Sequence, residues 1–185
     1  MMKKNIWFWI LFIISFNTVA QETSNKEFTK WYIYSSINYV SMSFRTGYSL
    51  ELGVEKFFDM DFSFSSSLNF VQSPYGIADN DFYNAIQWNT DGYYSFFGNE
   101  KKVNLRLGIG LSFVHGEENR LYFKSNNQEY YHFIVRNEIG ANIIGSLSYK
   151  LSPKLITGFQ LKLMQYHQEW DDVNLLGIYI LYYPF

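Results

Sequence analysis

Cysteine is missing altogether, and only three prolines interrupt 185 residues. Without cysteine there is no disulfide framework, no thiolate metal site, no cysteine nucleophile and no lipid-modified N-terminal cysteine. A strong charge of one sign is lacking too. Fifteen Lys+Arg face 17 Asp+Glu, and loss of Lys3 and Lys4 with an N-terminal leader leaves 13 against 17, a net charge of −4. That mildly acidic balance argues against a nucleic-acid partner held on a basic face. Apolar runs long enough to cross a bilayer as a helix are also missing. What the chain has in excess is rings. Its 18 Phe, 16 Tyr and 5 Trp outnumber its 32 charged residues, and stiff aromatic side chains favour strands over helical bundles. At this length one domain is the natural count.

Residues 1–20 divide into a basic start at Lys3 and Lys4, an apolar run over 6–14, and Thr18-Val19-Ala20 before Gln21. Small residues at the last and third-last positions complete the pattern of a cleaved secretory signal. The run of nine apolar residues falls short of the roughly 20 that a spanning helix needs. The reading is a signal peptide over 1–20, a polar linker over 21–29 and a single domain over 30–185.

That domain alternates with period 2 and shows no helical period. Val103, Leu105, Leu107, Ile109, Leu111 and Phe113 share one face, against Asn104, Arg106, Gly108, Gly110 and Ser112. Phe62, Phe64, Leu68 and Phe70 oppose Ser63, Ser65, Ser67 and Asn69 in the same way. Strands are predicted near 30–41, 46–58, 61–72, 82–97, 102–115, 130–151, 154–167 and 174–185. Connectors after the second, fourth and sixth are short. Those after the third, fifth and seventh are longer and polar, the longest being 116–129.

An even strand count with uneven connectors is the pattern of a transmembrane β-barrel. A soluble up-and-down barrel shares the period, but it would place its apolar side chains inside. Here the polar face is small and suits a narrow lumen, while the apolar face is long, branched and aromatic. Rings cluster near segment ends: Trp31, Tyr32, Tyr34, Phe57, Phe58, Tyr149 and Tyr182 toward the short turns, and Tyr48, Tyr83, Trp88, Phe113, Tyr166 and Trp170 toward the loops. They read as two interfacial girdles. Lipid offers no partners to backbone groups, so the strands must close. The expected fold is all-β, an eight-stranded antiparallel up-and-down transmembrane β-barrel in a bacterial outer membrane, with outer-membrane lipid around it.

The final segment carries Gly177, Tyr179, Leu181, Tyr183 and Phe185 at alternate positions, ending on the last residue. A terminal aromatic preceded by such a row resembles the signal read by the barrel-assembly machinery during biogenesis. Tyr179, Leu181, Tyr183 and Phe185 are the candidate positions. The chain as a whole resembles the eight-stranded outer-membrane barrels common in Bacteroidetes-type bacteria, often labelled porin-family or PorT-like. The resemblance is carried by Arg45-Thr46-Gly47-Tyr48-Ser49-Leu50-Glu51-Leu52-Gly53, by Gly108-Ile109-Gly110-Leu111-Ser112-Phe113, by Leu151-Ser152-Pro153-Lys154-Leu155 and by Tyr183-Pro184-Phe185. These are structural glycines and turns. They imply an architecture and no pore.

No catalytic, cofactor or metal motif is legible. His115, His132 and His167 are scattered near strand ends, and His132 with Glu129 or Ser125 is the only pairing that would suit an outer-leaflet lipid-modifying enzyme. The charges on the inward parity say more. Glu51, Glu55, Asp91 and Glu138 share it with Arg106, Arg136 and Lys162. Buried charges must be paired or hydrogen-bonded, and an eight-stranded barrel is just wide enough for side chains to fill it. The expectation is a salt-bridged polar plug. Leu121, Tyr122 and Phe123, amid charge in the longest connector, are the candidate contact for an external partner; the competing and favoured reading is that these residues extend the hairpin beyond the membrane. The functional expectation is a structural or surface-binding barrel, with a lipid-modifying enzyme or an accessory barrel for protein secretion as alternatives.

Overall fold

A computed structural model describes residues 30–42, 45–58, 61–75, 82–99, 101–125, 128–166 and 172–184. The leader and the linker over 21–29 lie outside this set. All eight elements are strands: β1 (Lys30–Met42), β2 (Arg45–Phe57), β3 (Phe62–Tyr75), β4 (Phe82–Ser95), β5 (Val103–Ser125), β6 (Gln128–Ser152), β7 (Leu155–Tyr166) and β8 (Val173–Tyr182). Each pairs antiparallel with its sequence neighbour, and β1 pairs β8 from Ile33↔Tyr182 to Ser41↔Asn174, so the sheet closes on itself. Every strand has ten or more residues, enough for the ~9–11 that a tilted spanning strand needs.

The period-2 pattern becomes two surfaces. Val103, Leu105, Leu107, Ile109, Leu111 and Phe113 stand exposed on the outside of β5, while Asn104, Arg106 and Ser112 are buried within. The same division holds on β3, β6 and β7. Side chains alternate across a strand, and this barrel has its apolar face outside.

Three sequence expectations change. The first concerns 116–129, which the sequence left open between a connector and an extension of the hairpin: its described residues, 116–125 and 128–129, are the extension. β5 and β6 stay paired through Gly116↔Arg136, Glu118↔Ile134 and Arg120↔His132 up to Ser125↔Gln128, with one register shift between Leu121 and Phe123. A hairpin beyond the bilayer needs no apolar face to keep its backbone bonds, so its strands lose the hydrophobic signal while keeping the ladder. Neighbouring strands stop earlier: β4 ends its pairing at Asn119 and β7 at Gly140. The hairpin therefore stands above the rim.

The second change concerns rings. Tyr32, Tyr34, Phe57, Tyr83 and Tyr166 are buried inside the barrel and do not belong to the girdles. Their parity decides this: Tyr32 and Tyr34 share the face of Ser36 and Asn38. Trp31, Phe58, Phe96, Phe97, Tyr149 and Tyr182 do face outward at the short-turn end, with Tyr48, Phe113 and Tyr130 outward toward the other. Trp170 lies outside the described residues.

The third is the C-terminal row. Tyr179 and Leu181 point inward, and the outer surface of β8 is Leu176, Ile178, Ile180 and Tyr182. Tyr183 packs partly buried against the inner cluster of Tyr32, Phe57 and Leu181. Phe185 lies outside the described residues.

Candidate functional site

The lumen is a stack of layers, built because inward positions on successive strands meet at one height. In the middle, Lys162 on β7 bridges Glu51 on β2 (2.9 Å) and Asp91 on β4 (3.0 Å), all three buried. Glu51 is saturated. One oxygen accepts from Ser67, Asn89 and Lys162, the other from Tyr34 and Ser36. Asp91 has less, accepting from Lys162 and, through its other oxygen, from Asn142 (2.8 Å). Gln160 donates from Nε2 to the Tyr34 hydroxyl across the lumen (2.8 Å) and to Asn38 (3.0 Å), leaving the Tyr34 proton for Glu51. Ser112 reaches Asn89 and Asn142, which joins the two halves of the cluster.

Toward the short turns, Arg106 on β5 meets Glu55 at 2.6 Å and lies with its guanidinium 4.5 Å from the Tyr93 ring centre and 5.6 Å from Tyr179. Glu55 also accepts from Ser63 (2.6 Å). A planar cation between two ring faces, with a forked bond to a carboxylate, is a role that arginine fills and lysine does not. Below it Tyr32, Phe57, Ile156 and Leu181 form an apolar layer.

Toward the hairpin end the lumen turns apolar. Val40, Met42, Val71, Tyr83, Ala85, Val114, Met164, Tyr166, Val173 and Leu175 pack as one buried cluster. The sequence reading of a wholly polar inner face missed this layer, because single valines and methionines at inward parity do not stand out in alternation. Above it, Arg45 and Glu118 form a buried ion pair of 2.8 Å. That pair was also missed: Glu118 sat in the longest connector, where no parity was assigned, although Arg45 shares the parity of Ser49 and Glu51.

Of the seven charged positions expected in the lumen, Glu51, Glu55, Asp91, Arg106 and Lys162 converge. Glu138 is half-buried beside the apolar layer, opposite Val114 in register. Arg136 stands opposite Gly116 through its backbone, and its side chain is outside the described set. The side chains of Tyr122 and Phe123 are likewise undescribed, and Leu121 is half-buried on the hairpin. His115 faces outward and contacts Asn137 Oδ1 at 2.7 Å, with no carboxylate or serine on that ring among the described residues. His132 is opposite Arg120 and Glu129 opposite Lys124 in register, and Ser125 is paired at the hairpin's end. His167 is undescribed.

Glycines make the stack possible. Tyr93 faces Gly108, Asp91 faces Gly110, Tyr166 faces Gly140, Tyr179 faces Gly158 and Asn38 faces Gly177 across the ladders. In each pair the large side chain lies over its neighbour's missing one. A Cβ on Gly110 would collide with Asp91 Oδ1 and with the backbone oxygen of Thr90. The backbone cannot give way without opening the β4–β5 ladder. Gly110→Val is therefore expected to cost about 1–3 kcal/mol by overpacking, read as a lower urea midpoint, while Gly145→Val on the outer face costs little. Equal midpoints for the two would show that the lumen has slack at this level.

Solved structures with the same fold were found, though no protein-family model and no curated protein matches the sequence. The Neisserial surface protein A aligns with a TM-score of 0.64 and 12% identity, over 83% of this chain and 96% of that one. A major outer membrane protein of Thermus thermophilus aligns at 0.59 and 12%, over 82% and 98%. The N-terminal barrel domain of Pseudomonas aeruginosa OprF aligns at 0.54 and 12%, over 84% and 100%. The chain thus has the closed eight-stranded antiparallel fold of bacterial outer-membrane barrels. Identities this low speak for the fold alone.

Proposed function

We propose that the mature chain is an outer-membrane barrel whose lumen is a structural plug and whose contacts with other molecules are made outside the lumen. The observation that carries this reading is the layering. A saturated charge cluster lies between two apolar layers, inside a wall whose outer surface is apolar on every strand. Such an outer wall is stable against lipid and would be an aggregation surface in water. A conducting path would have to pass Lys162 and the apolar cluster in turn, and open channels belong to barrels of roughly 16–18 strands. Among the described residues the raised β5–β6 hairpin reaches furthest beyond the neighbouring strands, which supports it as the surface-binding element. The narrower kinship with PorT-like barrels rests on the motifs at 45–53 and 108–113, where Gly47, Gly53, Gly108 and Gly110 sit inward.

Fractionation tests the membrane reading. The protein is expected in detergent extracts of outer membranes, migrating differently on gels before and after boiling. Recovery as a soluble periplasmic protein without detergent would refute it. In planar bilayers the purified barrel is expected to give no steady conductance steps. Reproducible single-channel openings, abolished by a Lys162 substitution, would replace the plug with a transport path.

A further inference from the structure

The short-turn rim is rich in lysine. Lys30, Lys56, Lys101, Lys102, Lys150 and Lys154 all lie at this end, and outside the lumen Asp61 is the one carboxylate there among the described residues. The sequence adds only Asp59 and Glu100 in the same turns. Several of these ammonium groups are held against outward-facing rings: Lys56 at 5.0 Å from Trp31 and 5.2 Å from Phe58, and Lys102 at 5.2 Å from Tyr149. An ammonium group over a ring at the edge of an apolar wall sits at the depth where lipid presents its phosphate.

Three of the lysines flank one strand end. The Lys150 amide donates to the Lys102 carbonyl at 2.8 Å, which places the β4–β5 turn against the end of β6. Lys102 lies on the outside, above a wall of Val103, Leu105, Leu147, Tyr149 and Leu151. The Tyr149 hydroxyl beside it keeps its pKa above the usual lysine range. Lys101 and Lys150 lie on the other side of the strand end. There, with Asn99, Asn104, Arg106 and Ser148, they line a small pocket in the barrel mouth. The floor is built from the buried polar groups Asn104, Arg106 and Ser148, with Phe57 and Ile156 beside them. Its sides are lysines whose ammonium groups make no ion pair among the described residues. Arg106 is already committed to Glu55, so Lys101, Lys102 and Lys150 supply the charge left over for a ligand. An apolar wall thus leads over one strand end into a cationic, hydrogen-bonding mouth.

We propose that this corner of the rim is a headgroup site for an anionic phospholipid. The phosphodiester sits among Lys101, Lys102 and Lys150, polar headgroup atoms enter the mouth toward Asn104 and Ser148, and the acyl chains run along Val103, Leu105 and Leu147. The site rests on the membrane reading above and names the lipid class that reading leaves open. Lysine stems lie along apolar surface while their heads remain in the polar layer, which lets the same three residues meet wall and headgroup at once.

The experiment uses the mature barrel in nanodiscs of phosphatidylcholine, alone or mixed with phosphatidylglycerol, with retained lipid read by native mass spectrometry. Wild type is expected to keep phosphatidylglycerol in preference by on the order of tenfold, the scale that a few lysines near an anionic surface supply. Lys101→Gln/Lys102→Gln/Lys150→Gln should bring the preference to parity. Lys30→Gln/Lys154→Gln, beside Tyr183, should leave it intact. A triple variant with undiminished preference overturns the site, as does equal loss in the Lys30/Lys154 pair, which would reduce the effect to general rim charge. Displacement of the lipid by millimolar inorganic phosphate would assign the pocket to a soluble anion and also overturn it. Heat-shifted gel migration checks that the triple variant is folded, and Lys102→Gln alone should lower the preference part-way if it is not. Failure of the headgroup site leaves the barrel inserted without lipid preference, whereas failure of the membrane reading leaves nothing that enters the nanodisc.

Discussion

Lys162→Met is expected to lower the unfolding free energy of the barrel by about 3–5 kcal/mol, the usual cost of breaking a buried ion pair on one side. Methionine nearly keeps the volume, so packing is spared and the charge is what goes. Among the described residues, Glu51 would retain four donors, Tyr34, Ser36, Ser67 and Asn89, whereas Asp91 would retain only Asn142. Most of the penalty therefore falls on Asp91. Adding Asp91→Asn should recover the larger share of the loss, and adding Glu51→Gln the smaller. Urea titration of barrels folded into vesicles reads all three. A single variant with the wild-type midpoint would mean that water solvates the cluster and that the lumen is not dry.

Arg106→Ala should be of similar size, about 3–5 kcal/mol, for a partly different reason. The change strands Glu55 with Ser63 as its remaining side-chain donor, and it also removes the plate between Tyr93 and Tyr179. Arg106→Lys is expected to restore little, because an ammonium group cannot reach two rings and a carboxylate in one plane. Full recovery with lysine would show that charge alone matters at this level. The lysine arm separates stacking from ion pairing, which the alanine change by itself cannot do.

Architecture was written plainly in the sequence, since alternation with a polar and an apolar parity follows from the pleat itself. Strand existence and closure could be argued from Val103 to Phe113 and from the uneven connectors. Membership of the lumen was legible one residue at a time by the same parity, as for Glu51 and Lys162. Partnership was not. Lys162 lies 111 residues from Glu51, and Gln160 lies 126 from Tyr34, so register around the whole barrel decides who meets whom. Rings misled for a different reason. Trp31 and Tyr32 are adjacent at the start of β1, and only their parity tells a core residue from a girdle residue. The hairpin extension was legible only as one of two readings of 116–129, because Gly116 to Ser125 carry no period-2 alternation and a polar stretch in water fits a loop and a paired extension alike.

The seam between β1 and β8 imposes an order of assembly. Members of the charge cluster come from β1 through β7, and Tyr34, Ser36 and Asn38 stand on one lip of the seam. Before Ile33–Ser41 zips onto Asn174–Tyr182, the sheet is an open trough in which Gln160 cannot reach Tyr34 and the carboxylates lack their full set of donors. Lipid would be a ruinous solvent for that trough. Its inner surface has to stay against water until closure. The last backbone bonds to form, those of the seam, are then the ones that turn a wet groove into a dry interior.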